Sequence, residues 1–280
     1  MKAPDVLSAQ PSGMRQVAVD RRRDGHGRAA QDWVAEEVPV ALEYNGVSHA
    51  VMLATPQDLE DFALGFSVTE DIVNGVSDVR DMEVVAGPDG LTVRLEVAPG
   101  CFMRLKERRR SLAGRTGCGL CGTESLPQAV RLPPPLRSGA RFEAAAIIRA
   151  LQALRGRQPL HEATGATHAA AWSRADGELV LVREDVGRHN ALDKLVGALL
   201  RERLAAHEGF VVVTSRASYE MAGKTVRAGV ALLAAVSGVT GLAIDLAEGA
   251  HLTLAGFARG QDFSIYTHSQ RIVGDPTHGQ

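Results

Sequence analysis

A regular alternation of apolar and polar positions sets in at residue 38, and the first elements are expected there. Two β-like runs, 38–44 and 47–53, flank Asn45-Gly46, the dipeptide best suited to a type I′ turn, so they predict a hairpin. Thr55-Pro56 then offers an N-cap and a first-turn proline, with Asp58 placed to return a hydrogen bond. Leu59, Phe62, Ala63 and Phe66 recur at helical spacing, which predicts a helix packed on that hairpin. A second strand pair, 82–86 and 91–97, surrounds Gly87-Pro88-Asp89-Gly90 and completes an α+β unit.

From 101 to 135 the periodicity fails. A basic run (Arg104, Lys106, Arg108, Arg109, Arg110) leads into Gly117-Cys118-Gly119-Leu120-Cys121-Gly122, and Pro133-Pro134-Pro135 closes the stretch, which reads as a loop-rich junction. Beyond it the pattern alternates. Helices are expected at 142–155, 191–205, 219–235 and 250–257, and strands at 168–172, 179–182, 210–214, 242–246 and 263–267. Strands alternating with helices imply a sheet with parallel neighbours and helices on both faces, hence a three-layer α/β domain. The expected organisation is a flexible leader over 1–36, containing Arg21, Arg22, Arg23 and Arg28, an N-terminal α+β unit over 37–135, and a C-terminal α/β domain over 136–280.

Composition narrows the function classes. The chain has 280 residues, 31 Lys plus Arg against 33 Asp plus Glu, and a net charge of −2, which gives no bulk reason to expect a nucleic-acid or membrane-surface binder. Hydrophobic residues make up 45%, enough to build a core, and 3 cysteines are too few for a secreted disulfide scaffold. The most apolar stretch, 228–247, is interrupted by Ser237, Gly238, Thr240, Gly241 and Asp245, so no membrane span is expected.

Four segments carry candidate chemistry. In the first, glycines around Cys118 and Cys121 free the backbone to expose both sulfurs, and nearby arginines would favour a thiolate. A zinc site, dithiol redox exchange and sulfur relay all remain open for this pair. Zinc lacks a second C-x-x-C, the histidines lack finger spacing, and the deaminase order of H-x-E before P-C-x-x-C is not met. A thioredoxin-like motif would open a long helix, whereas Pro127 follows closely here. The second segment runs from Arg183 through Glu184, Asp185, Gly187, Arg188 and His189 to Asp193 and Lys194. It crowds charge at a strand-to-helix turn, as an anion site would, or else marks a capped helix with His189 partnered by Asp193. Thr214-Ser215-Arg216 forms a similar corner, and Phe257-Ala258-Arg259-Gly260-Gln261-Asp262 offers an arginine, an aromatic face and a pliable backbone.

In this order the C-x-x-C loop, the EDVGRHNALDK stretch (184–194), Thr214-Ser215-Arg216 and the ending GFARGQDFSIYTH (256–268) resemble the FdhD family of formate dehydrogenase accessory sulfurtransferases. The resemblance implies a cytoplasmic homodimer. Such a protein takes sulfur from a cysteine desulfurase and passes it to the molybdenum cofactor, bis-molybdopterin guanine dinucleotide, that serves formate dehydrogenase. It further implies that Cys118 carries the persulfide and Cys121 assists or resolves it. Phe257, Ala258, Arg259, Gly260, Gln261 and Asp262 would hold the cofactor's nucleotide end, in a C-terminal domain resembling the cytidine deaminase fold. No catalytic metal and no nucleic-acid partner are expected. The rival reading is a non-enzymatic chaperone of that cofactor whose two cysteines bind structural zinc.

Overall fold

The computed structural model describes residues 13–112 and 132–274. An antiparallel ribbon comes first, β1 (Met14–Arg23) with β2 (His26–Ala35), turning at Asp24-Gly25 where both φ angles are positive. This corrects the expectation of a flexible leader for residues 14–35: Asp-Gly is a two-residue hairpin signal of the same kind as Asn45-Gly46. Strand β2 of the ribbon packs on a short helix of the C-terminal domain, Pro159–Thr164, so the ribbon is anchored to the body.

The N-terminal unit follows expectation. Its sheet, ordered β4-β3-β6-β5, contains β3 (Val38–Tyr44), β4 (Val47–Ala54), β5 (Val79–Gly87) and β6 (Gly90–Val97), with β3 and β6 parallel. Val40, Leu42, Tyr44, Val93 and Leu95 point from this sheet into a core closed by Phe62 and Ala63 of helix α1 (Leu59–Thr69). Two local expectations fail. Helix α1 begins after Asp58, which is left-handed (φ 52) and gives no side-chain cap, because Thr55 is drawn into a buried network described below. Residues 99–112, expected to open the junction loop, form helix α2 (Pro99–Leu112), whose Cys101 and Leu105 are buried in the same core.

The C-terminal domain is a six-stranded sheet ordered β13-β12-β11-β10-β8-β9. Its strands are β8 (His168–Arg174), β9 (Leu179–Asp185), β10 (Gly209–Val213), β11 (Leu232–Ala235), β12 (Thr253–Arg259) and β13 (Asp262–Thr267). Neighbours β10, β11 and β12 are parallel, and the other pairs antiparallel. Helix α3 (Ala144–Arg155) covers one face, with Ile147, Ala150 and Leu154 against Phe210, Val212 and Ala234. The opposite face is covered by α5 (Arg188–Arg201), α6 (Tyr219–Arg227) and α7 (Gly241–Gly249), packed on Trp172, Val211, Val213 and Leu233. The helix Pro159–Thr164 is α4, and β7 (Phe142–Glu143) pairs with β14 (Ile272–Val273) at the rim. The three-layer expectation therefore holds, with a phase error across 228–257. Leu232–Ala235 is a strand rather than the end of a helix, Gly241–Gly249 a helix rather than a strand, and Thr253–Arg259 a strand rather than a helix. Among the described residues no helix is long and apolar enough to cross a membrane.

The two units meet where α1 crosses α5. A Cβ added to Gly65 would lie 1.8 Å from the Asp193 carbonyl oxygen, and one added to Gly197 would lie 1.8 Å from the Asp61 carbonyl oxygen. Only glycine permits backbones this close. We expect Gly197→Ala to cost about 3 kcal/mol or more in urea unfolding, because backbone rather than a pliable side chain must yield. A loss below about 0.5 kcal/mol would show that the crossing is not the constraint it is taken for here.

Candidate functional site

The charged stretch over 183–194 has its partners inside the fold. Asp185 and Lys194 are fully buried and 2.7 Å apart. Thr55 donates its amide (2.9 Å) and hydroxyl (2.8 Å) to Asp185 and accepts from Lys194 Nζ (2.7 Å). Asn190 Nδ2 donates to the Leu53 carbonyl at 2.8 Å and to Asp185 at 3.0 Å. One turn further on, Asp193 accepts from Thr69 (2.6 Å) and Lys224 (2.9 Å), while Asp61 is clamped by Arg183 and Arg201, both at 2.8 Å. Burial opposes the charge on Lys224, but Asp193 and Glu70 outweigh it and hold the ammonium above its ordinary range. Burial lowers Lys194 despite the Asp185 charge.

This corner is therefore not the free anion site expected from its composition. Asp185 takes the Gly187 amide at 2.8 Å, and Glu184 takes the Leu160 and His161 amides at the start of α4 (2.9 and 2.8 Å). The capped-helix alternative fails in its detail as well: His189 lies 2.7 Å from Glu220 on α6, and Asp193 belongs to Lys224.

The open site lies at the carboxyl edge of the parallel strands, where α/β sheets generally bind ligands. A cavity of about 620 Å³ is lined there by Thr214 after β10, Val236 after β11, and Ala258, Arg259 and Gly260 at the end of β12. Antiparallel β8 contributes His168 from its start, α3 contributes Arg155, the α3–α4 connection contributes Gln158, and α4 contributes His161. Among the described residues two arginines, two histidines and no carboxylate line it, so it suits an anionic ligand. His161 Nδ1 sits 2.9 Å from the Thr167 carbonyl, which can only accept, so Nδ1 bears the proton and Nε2 is the ring atom left for an occupant. His168 is pushed below the ordinary histidine range by burial first, then by Arg188 and His161, with Asp185 opposing them.

The segment 257–262 is divided by its own geometry. Phe257 is left-handed (φ 53) and 54% exposed, held by its amide to the Ser237 carbonyl (3.0 Å) with its ring over Gly238. A bulky residue in that region costs about 1–3 kcal/mol, the kind of strain that gathers at functional sites. The irregularity between Gly256 and Arg259 buries Ala258 and sends Arg259 outward, where its Nε reaches the Val236 carbonyl at 3.3 Å. Ala258, Arg259 and Gly260 join the large cavity, whereas Gln261 and Asp262 line a smaller one of about 420 Å³ beside Phe263 and Ile272.

A model of the FdhD/NarQ family matches residues 35–273. The chain belongs to the FdhD/NarQ family. It is 58% identical over 277 residues to the sulfur carrier protein FdhD of Cupriavidus necator, covering 97% of this chain and 96% of that one. It is 56% identical over 272 residues to the protein of the same name from Bordetella bronchiseptica, covering 96% of each. A crystal structure of a candidate formate dehydrogenase accessory protein from Desulfotalea psychrophila superposes with a TM-score of 0.70 at 23% identity, over 93% of this chain and 98% of that one; this likeness concerns the fold.

In this FdhD/NarQ chain Cys118 and Cys121 lie outside the described residues. Among those described, Cys101 is the free thiol, and burial followed by the neighbouring Asp78 raises its pKa, which suits packing rather than nucleophilic chemistry. The cavity adds Arg155 and Gln158, which sequence reasoning missed. His161 and His168 carry no signal in the sequence beyond belonging to a set of histidines without zinc-finger spacing. Among the described residues no group of three or more His, Cys, Asp or Glu is placed to hold a metal ion. NMR titration of the imidazole protons is expected to put the His168 midpoint below about 6.5 and to move it upward when pyrophosphate fills the cavity, since an anion favours the protonated ring. A midpoint at or above the ordinary value in the free protein would contradict the burial and the positive neighbours that together hold His168 low.

Proposed function

We propose that this chain is a sulfurtransferase that serves formate dehydrogenase by carrying sulfur as a persulfide on Cys118. A thiolate at Cys118 attacks the outer sulfur of a cysteine desulfurase persulfide. A new S–S bond forms at Cys118 as the old one breaks, and the desulfurase cysteine leaves as a thiolate. Attack by Cys121 on the inner sulfur would then release the carried sulfur and close a Cys118–Cys121 disulfide. The acceptor in this reading is bis-molybdopterin guanine dinucleotide, held as cargo with its guanylate end in the cavity at the carboxyl edge of β10–β12. The domain would thus use the binding edge of a sheet related to cytidine deaminases, in a cytoplasmic homodimer.

The observation that carries the reading is the 58% identity, over nearly the whole chain, to a protein named as a sulfur carrier. The site chemistry agrees. A nucleotide diphosphate needs positive charge, hydrogen-bond donors and a pliable backbone, and Arg155, Arg259, His161, His168, Thr214 and Gly260 bring these together.

Incubation with cysteine and a desulfurase, followed by intact-mass spectrometry, should show the wild-type protein gaining one sulfur and the Cys118→Ala variant gaining none. A fully labelled variant would remove Cys118 from the chemistry. Stoichiometric zinc with both thiols unreactive would favour the chaperone reading instead.

A further inference from the structure

Gln158 is buried to 6% exposure in the wall of the large cavity, and its amide is half satisfied. Nε2 donates to the Leu154 carbonyl at 3.0 Å, one turn back in α3. A carbonyl only accepts, so this bond fixes which end of the amide is nitrogen. The other end, Oε1, is buried with no hydrogen-bond partner among the described residues. Among the described residues that line the cavity, Gln158 alone carries such an orphan side-chain atom. An unmet buried acceptor costs about 1–3 kcal/mol, and native structures hold few of them. Leucine would fill similar volume without that cost.

The surroundings indicate what would satisfy it. Apart from the amide of Gln152, the other polar side chains described in the cavity wall are basic or hydroxylic and suit an anion, whereas Oε1 requires an N–H or O–H donor. The terminal amide torsion of glutamine is soft, so a modest turn presents Oε1 to an occupant. A guanine-type nucleotide meets both demands: its ring N–H and adjacent exocyclic amine can donate to the two lone pairs of Oε1, where adenine offers only its amine, and its phosphates face the arginines and histidines. We infer that Gln158 is a specificity-determining residue that accepts from the N–H edge of a guanine-type base in this cavity. The assignment rests on the cargo reading given above and adds a residue outside the segment 257–262.

Calorimetry with GDP and ADP on the full chain tests it. Wild type should bind GDP more tightly than ADP. Gln158→Leu should lose about ten- to a hundredfold in GDP affinity, approach its own affinity for ADP, and melt no lower than wild type, because the orphan acceptor is gone. Gln158→Glu, which keeps the acceptor, should retain the preference for GDP. Unchanged GDP affinity in Gln158→Leu, or an unchanged ratio of GDP to ADP, overturns the assignment while leaving the cargo reading intact. Should the leucine variant fail to fold, loss of GDP preference in Gln158→Glu overturns it equally. Failure of wild type to bind GDP overturns the cargo reading and the assignment together.

Discussion

The close approach of two helices across Gly65 and Gly197 is the constraint on which the other features depend. With no Cβ at either position, the α1 and α5 backbones touch, and the side chains flanking the crossing, Asp61, Thr69, Asp193 and Lys194, are forced out of water. Burying charge at such a contact is unfavourable unless each group finds a partner. The charges supplied by Arg183, Asp185, Arg201 and Lys224 are therefore consequences of the crossing. Buried pairs of this kind add little net stability. They do penalise any other register, because a slip of one helix leaves an ion without its counterpart. The N-terminal unit is thereby held in one orientation on the C-terminal domain.

The two surfaces of the C-terminal sheet then take different tasks. The face under α5, α6 and α7 is spent on holding the units together, and its charges are mutually neutralised. At the carboxyl edge, on the side of α3 and α4, polar groups are left with incomplete partners: Gln158 lacks a donor, and His168 is crowded by positive neighbours. Under the proposed function such a site would bind a large anionic cargo and release it, a task served by groups a ligand can satisfy, with rigid strands behind them. The strained Phe257 sits on the same edge, where β12 breaks register to turn Arg259 outward.

Much of this was legible in the amino-acid sequence. The hairpin around Asn45-Gly46 follows from a period of two and turn residues that accept positive φ. The equivalent signal at Asp24-Gly25 was obscured by arginines that read as a solvated leader. The failure over 228–257 has a physical cause: Leu232–Ala235 is buried on both faces, and a short run of uniformly apolar residues carries no period with which to separate strand from helix. Pairing beyond the local turn was invisible, so Asp185, Asp193 and Lys194 looked like ligand-binding groups when their partners were Thr55, Thr69 and Lys224. The segment 257–262 was singled out through family resemblance, and the structure divides it between two cavities, whereas Gln158 emerged only once α3, β8, β10 and β12 converged.

We propose that the carboxyl edge of β10–β12 holds the nucleotide end of the cargo while the helix crossing serves structure. Amide hydrogen exchange by mass spectrometry, with and without GDP, compares these regions in one experiment. The account predicts that GDP slows exchange at residues 151–168 and 257–262 and leaves the N-terminal sheet, 38–97, unchanged. Protection confined to 38–97, or none at the carboxyl edge under saturating GDP, would contradict it.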